Sequence, residues 1–185
     1  MNNLLTLTPA EFCAATDACK EGHNWAITQP TMADVWDNCP RGDWLLWLAQ
    51  RVNAADGRTL RLFAVWCARS TPLGDGRVTG DLLTDPRLLA ALDVAERHAN
   101  GQATAEELAT ARANARAANA ESADYALMAA AAATAASADY AADASASVSD
   151  AVAHRARVAT DARLAQADQF RMMVKNPFPR TEAQS

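Results

Sequence analysis

Hydrophobic positions along this chain recur at helical spacing, and polar capping residues stand ahead of most of these runs. Phe12, Ala15 and Cys19 form a stripe three to four residues apart behind Thr8, Pro9 and Glu11. Thr8 suits a helix cap, Pro9 the first helical position, and Glu11 the reciprocal capping bond. A first helix is therefore expected to reach about Lys20, with Gly22 as its stop. Thr31 with Asp34 starts a short second helix carrying Val35 and Trp36, and Cys39 with Pro40 ends it. A third runs from Gly42 to about Asn53, with Asp43 as its cap and Trp44, Leu45, Trp47 and Leu48 as a wide apolar face. After the turn at Asp56 and Gly57, Thr59 opens a fourth helix with core positions Leu60, Phe63, Ala64 and Cys67, widened by Leu62 and Trp66. Residues 70–80, with Pro72, Gly74, Gly76 and Gly80, read as a loop. Asp85 and Pro86 start the next helix, whose Leu88, Leu89, Leu92, Ala95 and Ala99 lead to a stop at Gly101. No alternation typical of a strand is present; residues 25–28 are the nearest approach and are too few.

Thr104 with Glu107 forms a second capping box, and it opens a different kind of sequence. Across residues 103–167, 30 of 65 positions are Ala and neither Pro nor Gly intervenes, which predicts helix nearly throughout. A single helix of that length would extend to about 100 Å, too long for a compact domain of this size, so the field must fold back on itself. Soft breaks are expected at 119–122 and 145–149, where Asn and Ser compete for backbone hydrogen bonds. Small side chains let the resulting helices approach closely, toward the short end of the roughly 8–10 Å range of interaxial distances.

The bulky residues sit elsewhere. All five Trp, and Phe12 and Phe63, precede Gly74. The expected fold is therefore all-α: a single-domain bundle of seven or eight helices over 1–175, with an aromatic-rich lobe at 1–70 packed on alanine-rich helices at 81–175. A flexible tail is expected over 176–185, where Pro177 and Pro179 follow Asn176.

Charge narrows the function. The net charge of −5 argues against a general nucleic-acid binder, which needs a basic footprint. No run of bulky apolar residues reaches the roughly 20 needed to span a bilayer, and no basic segment followed by an apolar core marks a secretory signal. A cytoplasmic protein is expected, with Cys13, Cys19, Cys39 and Cys67 reduced. Between Arg116 and Arg155 there is no Lys or Arg, while Glu121, Asp124, Asp139, Asp143 and Asp150 fall in that interval. On one continuous helix Glu121, Asp139, Asp143 and Asp150 would lie within about 40° of one another. Such a face keeps an alanine-rich chain soluble, and it also suits docking to a basic protein partner by speeding encounter and adding specificity.

No reaction centre is expected. The sequence contains no nucleophile elbow, no HExxH and no phosphate-cradling loop, and Gly74, Asp75 and Gly76 form a turn that follows no strand. Cys13, Cys19, His23 and Cys39 are metal-ligand types, but their spacing does not match the short Cys knuckles of structural zinc sites, and small buried thiols pack well in a core. No cofactor or metal is expected. His98 and His154 stand isolated, and the place of His98 near a helix C-terminus needs no further role.

The most distinctive stretch is Cys39, Pro40, Arg41, Gly42, Asp43, Trp44, Leu45, Leu46, Trp47, Leu48. Arg41 and Asp43 can pair across the glycine, and exposed beside Trp47 they would make a second contact patch. This stretch, the later Cys67, Ala68 and Arg69, and Asp85, Pro86 and Arg87 ahead of an alanine-rich remainder resemble an alanine-rich family of immunity proteins found near bacterial polymorphic toxins and in phage genomes. The resemblance extends from about residue 12 to residue 171; the stretch from Ser70 to Thr84 and the proline-containing tail lie outside it. It implies an all-helical, non-enzymatic protein that neutralises another protein by stoichiometric binding. A phage-borne inhibitor of a host defence complex and a structural homo-oligomer share these features and remain alternatives.

Overall fold

The computed structural model describes residues 4–121 and 159–180. Among them are eight α-helices: α1 Pro9–Thr16, α2 Lys20–Ala26, α3 Met32–Asn38, α4 Gly42–Arg51, α5 Gly57–Ser70, α6 Pro86–Ala99, α7 Ala105–Glu121 and α8 Ala159–Met173. Short 3-10 turns occupy Leu4–Thr6 and Thr79–Leu82, and the described residues contain no strand beyond an isolated bridge between Pro72 and Val78. The chain is a single all-α domain.

Most helix starts follow local capping chemistry. The Thr8 hydroxyl accepts from the Glu11 N–H while the Glu11 carboxylate accepts from the Thr8 N–H at 2.9 Å, closing the capping box of α1. The same reciprocal chemistry opens α7, where Thr104 N–H donates to Glu107 at 2.7 Å and Glu107 N–H to the Thr104 hydroxyl at 3.1 Å. Thr31, Asp56 and Asp85 cap α3, α5 and α6, and Pro86 takes the first turn of α6. Gly101 ends that region at φ +72°, the left-handed conformation that a side chain disfavours.

Three expectations need correction. Gly22 does not stop the first helix: α1 ends at Thr16 because Asp17 turns left-handed at φ 59°, and Gly22 lies inside α2, which Cys19 caps by accepting the Gly22 N–H through Sγ at 3.3 Å. Asp43 does not cap α4; the cap position is Arg41, whose side chain is paired with Asp43 instead. Of the tail expected over 176–185, residues 176–180 are not loose, and 181–185 lie outside the described residues. Asn176 donates to the Ala33 carbonyl at 3.1 Å and to Asp37 at 2.9 Å, Phe178 is buried, and Arg180 pairs with Asp37 at 2.9 Å. Burial of one aromatic ring and satisfaction of an α3 carbonyl fix this segment to α3.

The core is a chain of rings. Phe12 on α1 meets Phe178 edge-on at 5.8 Å, Phe178 meets Trp36 on α3 at 6.4 Å, Trp36 meets Phe170 on α8 at 6.0 Å, and Phe170 meets Phe63 on α5 at 4.9 Å. Offset and edge contacts at such distances add to the area that each ring buries. Helix α8 packs along α4 and α5, α5 on α6, and α6 on α7. Of the two described ends of the alanine field, one (α8) packs on the aromatic lobe and the other (α7) on α6; its middle, 122–158, lies outside the described residues.

Close approach governs the α4–α8 seam. A Cβ on Gly42 would stand 2.7 Å from the Gln166 Cβ and 3.1 Å from the Gln166 carbonyl carbon, so only glycine admits α8 this near. Arg171 on α8 then donates to the Trp36 carbonyl at 3.1 Å and to the Cys39 carbonyl, satisfying acceptors near the end of α3. Beneath the 71–79 loop, the Thr71 and Thr79 hydroxyls both donate to the Cys67 carbonyl, at 2.8 and 2.9 Å, and Gln166 donates to Thr71 at 3.3 Å. The loop is thereby tied to α5 and α8.

Candidate functional site

Where α8 closes one side of α4, the other side of that helix borders an open cleft. Its apolar positions Trp44, Trp47 and Leu48 face Trp25 and Ala26 of α2, Phe12 and Cys13 of α1, and Met32 and Val35 of α3, around a cavity of about 380 Å³. The cleft arises because α1, α2 and α3 are only seven or eight residues long and are joined by sharp turns. Helices that short cannot cover a neighbour as α8 does, and the wide apolar face of α4 is left partly open.

The walls are aromatic. Trp25 and Trp44 lie with centroids 5.9 Å apart at a 47° tilt, and Phe12 meets the edge of Trp47 at 6.2 Å. Trp25, Trp44 and Trp47 are all half-buried, while Trp36 behind them is 1% exposed. Arg51 lies 5.2 Å from the Trp47 ring and covers its outer side.

Charges gather at the mouth. Arg41 holds Asp43 with two hydrogen bonds, Nε to Oδ1 at 3.1 Å and Nη2 to Oδ2 at 2.7 Å, and its guanidinium carbon lies 4.5 Å from the Trp44 centroid. This bidentate pair raises the Arg41 pKa above its ordinary value, chiefly through the hydrogen bonds to Asp43. Arg41 and Asp43 are about one-fifth exposed, at 20% and 18% of their side chains. Glu21 differs: its carboxylate reaches Arg41 only at 3.5 Å and its side chain is 75% exposed. Both carboxylates accept from Arg41 through both oxygens, but Asp43 is held at 3.1 and 2.7 Å and Glu21 only at 3.5 Å, with its side chain facing solvent.

Four cysteines are free, and they divide by position. Cys19 is exposed on the rim; Cys13, Cys39 and Cys67 are buried. Burial pushes the Cys13 thiol up, helped by the nearby Cys19, and pushes Cys39 up to about 11. Among the described residues no group of three or more His, Cys, Asp or Glu side chains could hold a metal ion. A wider groove of about 570 Å³ lies between α6 and α7, but Thr104 and Glu107 on its wall are already engaged in capping α7.

Of the sequence-derived candidates, the structure brings Arg41, Asp43 and Trp47 to one place, all three lining the cleft. Arg41 and Asp43 stand there as a partly buried pair rather than as an exposed patch. Glu121 is the last residue of α7. Asp124, Asp139, Asp143 and Asp150, which carry the proposed acidic face, lie outside the described residues. Sequence reasoning did not single out Glu21, Gly22, Trp25 or Trp44 as site residues. Trp44 was legible as a helix-face partner of Trp47 three residues on. The others depend on α2, whose start at an unusual cysteine cap concealed it. No helix among the described residues is long and apolar enough to cross a membrane. Comparison with protein-family models, curated proteins and solved structures finds no match for this chain.

Proposed function

We propose that this chain is a non-enzymatic inhibitor of the immunity-protein type, which neutralises a basic toxin or defence effector by binding it one to one. The observation that carries the reading is the cleft beside α4: an aromatic-walled recess rimmed by a fixed ion pair and an exposed carboxylate. Tryptophan and arginine clustered around an apolar recess, with charge at its edge, are the composition of protein-binding hot spots. The negative net charge favours a basic partner and faster encounter with it. The segment bearing Asp139, Asp143 and Asp150 adds charge of the same sign.

The test is affinity capture with tagged full-length chain from the cell that makes it, followed by light scattering of the reconstituted complex and co-expression with the captured protein. A single partner held at one-to-one stoichiometry, whose toxicity or effector activity is suppressed on co-expression, supports the reading. Recovery of the chain alone as a defined homo-oligomer removes it in favour of a structural role. The captured protein's own activity distinguishes toxin immunity from inhibition of a host defence complex.

A further inference from the structure

We infer that the cleft beside α4 receives one aromatic side chain from a basic segment of the partner, with Glu21 accepting the Lys or Arg that neighbours it. This rests on the protein-binding reading and specifies the chemistry recognised.

Size sets the first limit. At about 380 Å³ the recess is near the lower end of ligand pockets, which run from about 300 to 1,000 Å³. It accommodates a single ring better than an extended cofactor. Its walls set the second. Trp25, Trp44, Trp47 and Phe12 offer ring faces and edges, and Met32 and Cys13 offer polarizable sulfur, a lining that favours an aromatic occupant over an aliphatic or strongly polar one.

Charge sets the third. Glu21 and Asp43 face one guanidinium, Arg41, so the lining carries one net negative charge. Arg41 spends Nε and Nη2 on Asp43 and its face on Trp44, which leaves it poorly placed to take an anion. Glu21 is the exposed and loosely held carboxylate, with both oxygens 3.5 Å from Arg41 Nη1, and its complement is a cation.

Gly22 completes the argument. It lies within α2 on the cleft wall, and a Cβ there would stand 3.3 Å from Cys19 Sγ and 3.9 Å from Cε2 of Trp44. A glycine inside a helix is unfavourable, yet a side chain at this position would grow toward Trp44 and into the recess. A longer side chain at 22 is therefore a plug, and the neighbour that must give way slightly is the Cys19 Sγ that caps α2.

The experiment uses the full chain labelled with nitrogen-15, in which the five tryptophans give five indole N–H signals. The probes are acetylated, amidated tripeptides at millimolar concentration: lysyl-phenylalanyl-lysine, lysyl-alanyl-lysine and glutamyl-phenylalanyl-glutamate, with free indole as a neutral aromatic. The expected result is a saturable shift of Trp25, Trp44 and Trp47, but not Trp36, with the first peptide only. Glu21→Gln should weaken it by about threefold, as fits one exposed ion pair. Gly22→Met should abolish it while the thermal midpoint stays the same or rises. Equal shifts from the alanine or glutamate peptide, or tighter binding of free indole, overturn the inference, the last marking a small-molecule pocket instead. No shift with any probe overturns it as well. Capture of the same partner, equally well, by Gly22→Met and the unaltered chain removes the cleft from the interface while leaving the protein-binding reading in place. Failure to capture any partner removes both.

Discussion

Two glycines stand at the two seams of α4, and they do opposite things. At Gly42 the missing Cβ lets α8 press onto the start of α4, with Gln166 and the Ala167 amide within about 3 Å of where that atom would be. At Gly22 the missing Cβ leaves a gap: Trp44 is the nearest ring, at 3.9 Å, and the space beyond is cleft. One glycine closes a seam and the other keeps one open. The difference originates in the partners. Helix α8, at 15 residues, lays Gln166, Phe170 and Arg171 along α4 and α5, with Gln166 and Phe170 fully buried, whereas the seven-residue α2 brings Glu21, Gly22, Trp25 and Ala26 to the opposite side and leaves the cleft between.

The closed seam is the place to break the fold. Phe170→Ala removes the ring that joins Trp36 to Phe63 and should cost about 3–5 kcal/mol, read as a lowered denaturation midpoint. Gly42→Ala forces α8 away from α4 and should cost about 1–3 kcal/mol despite alanine's better helix propensity, because the atoms it meets include backbone. The open seam should respond with the opposite sign. Gly22→Ala meets no backbone, its one tight neighbour being the Cys19 Sγ that caps α2, so the propensity gain of about 0.5–1 kcal/mol is offset only by a small shift of that cap and the chain should be stabilised by up to that amount. A midpoint that falls as far for Gly22→Ala as for Gly42→Ala would show that the cleft is as tightly packed as the α8 seam.

Thiol chemistry sharpens the same contrast with a smaller effect. Brief alkylation of the native chain near neutral pH should modify Cys19 alone, with Cys13, Cys39 and Cys67 reacting only after denaturation, as counted by mass. Cys39 titrates at about 11 in the fold against 9.0 for an ordinary thiol. The unfolded chain therefore releases this proton first as pH rises, and stability should be intact below pH 9.0 and decline between there and about 11. A Cys39→Ala variant should lose that part of the alkaline slope.

What was legible in the sequence follows this division closely. The starts of α1, α3, α6 and α7 were readable because Thr8, Thr31, Asp85 and Thr104 act on backbone groups two or three residues away. The boundary between α1 and α2 was not, because a left-handed Asp17 and a sulfur cap carry weaker local signatures than the glycine five residues later, which reads as a stop. Arg41 and Asp43 were recognised as a pair from their spacing, but Asp43 was assigned to a cap, since nothing local ranks the guanidinium above the helix amides as its donor. The cleft itself needs four helices to converge, and the docking of Asn176 and Phe178 links residues whose proximity only the tertiary fold creates. The aromatic content of residues 1–70 showed that a core would form there without showing which of its rings would remain at the surface.

The ring chain also sets a timetable for synthesis. Asn176 bonds Asp37 across 139 positions, and Phe170 and Phe178 fill the middle of a core whose other rings are all translated by Trp66. At about 5–20 residues per second, the ribosome exposes Phe63 for roughly 5–20 seconds, and Trp36 and Phe12 for longer, before Phe170 emerges to cover them. During that interval the nascent chain presents unburied aromatic surface while its longest low-complexity segment is still being made. By this topology the newborn protein should bind chaperones that hold emerging chains, and a ribosome stalled before codon 170 should leave its aromatic lobe protease-sensitive.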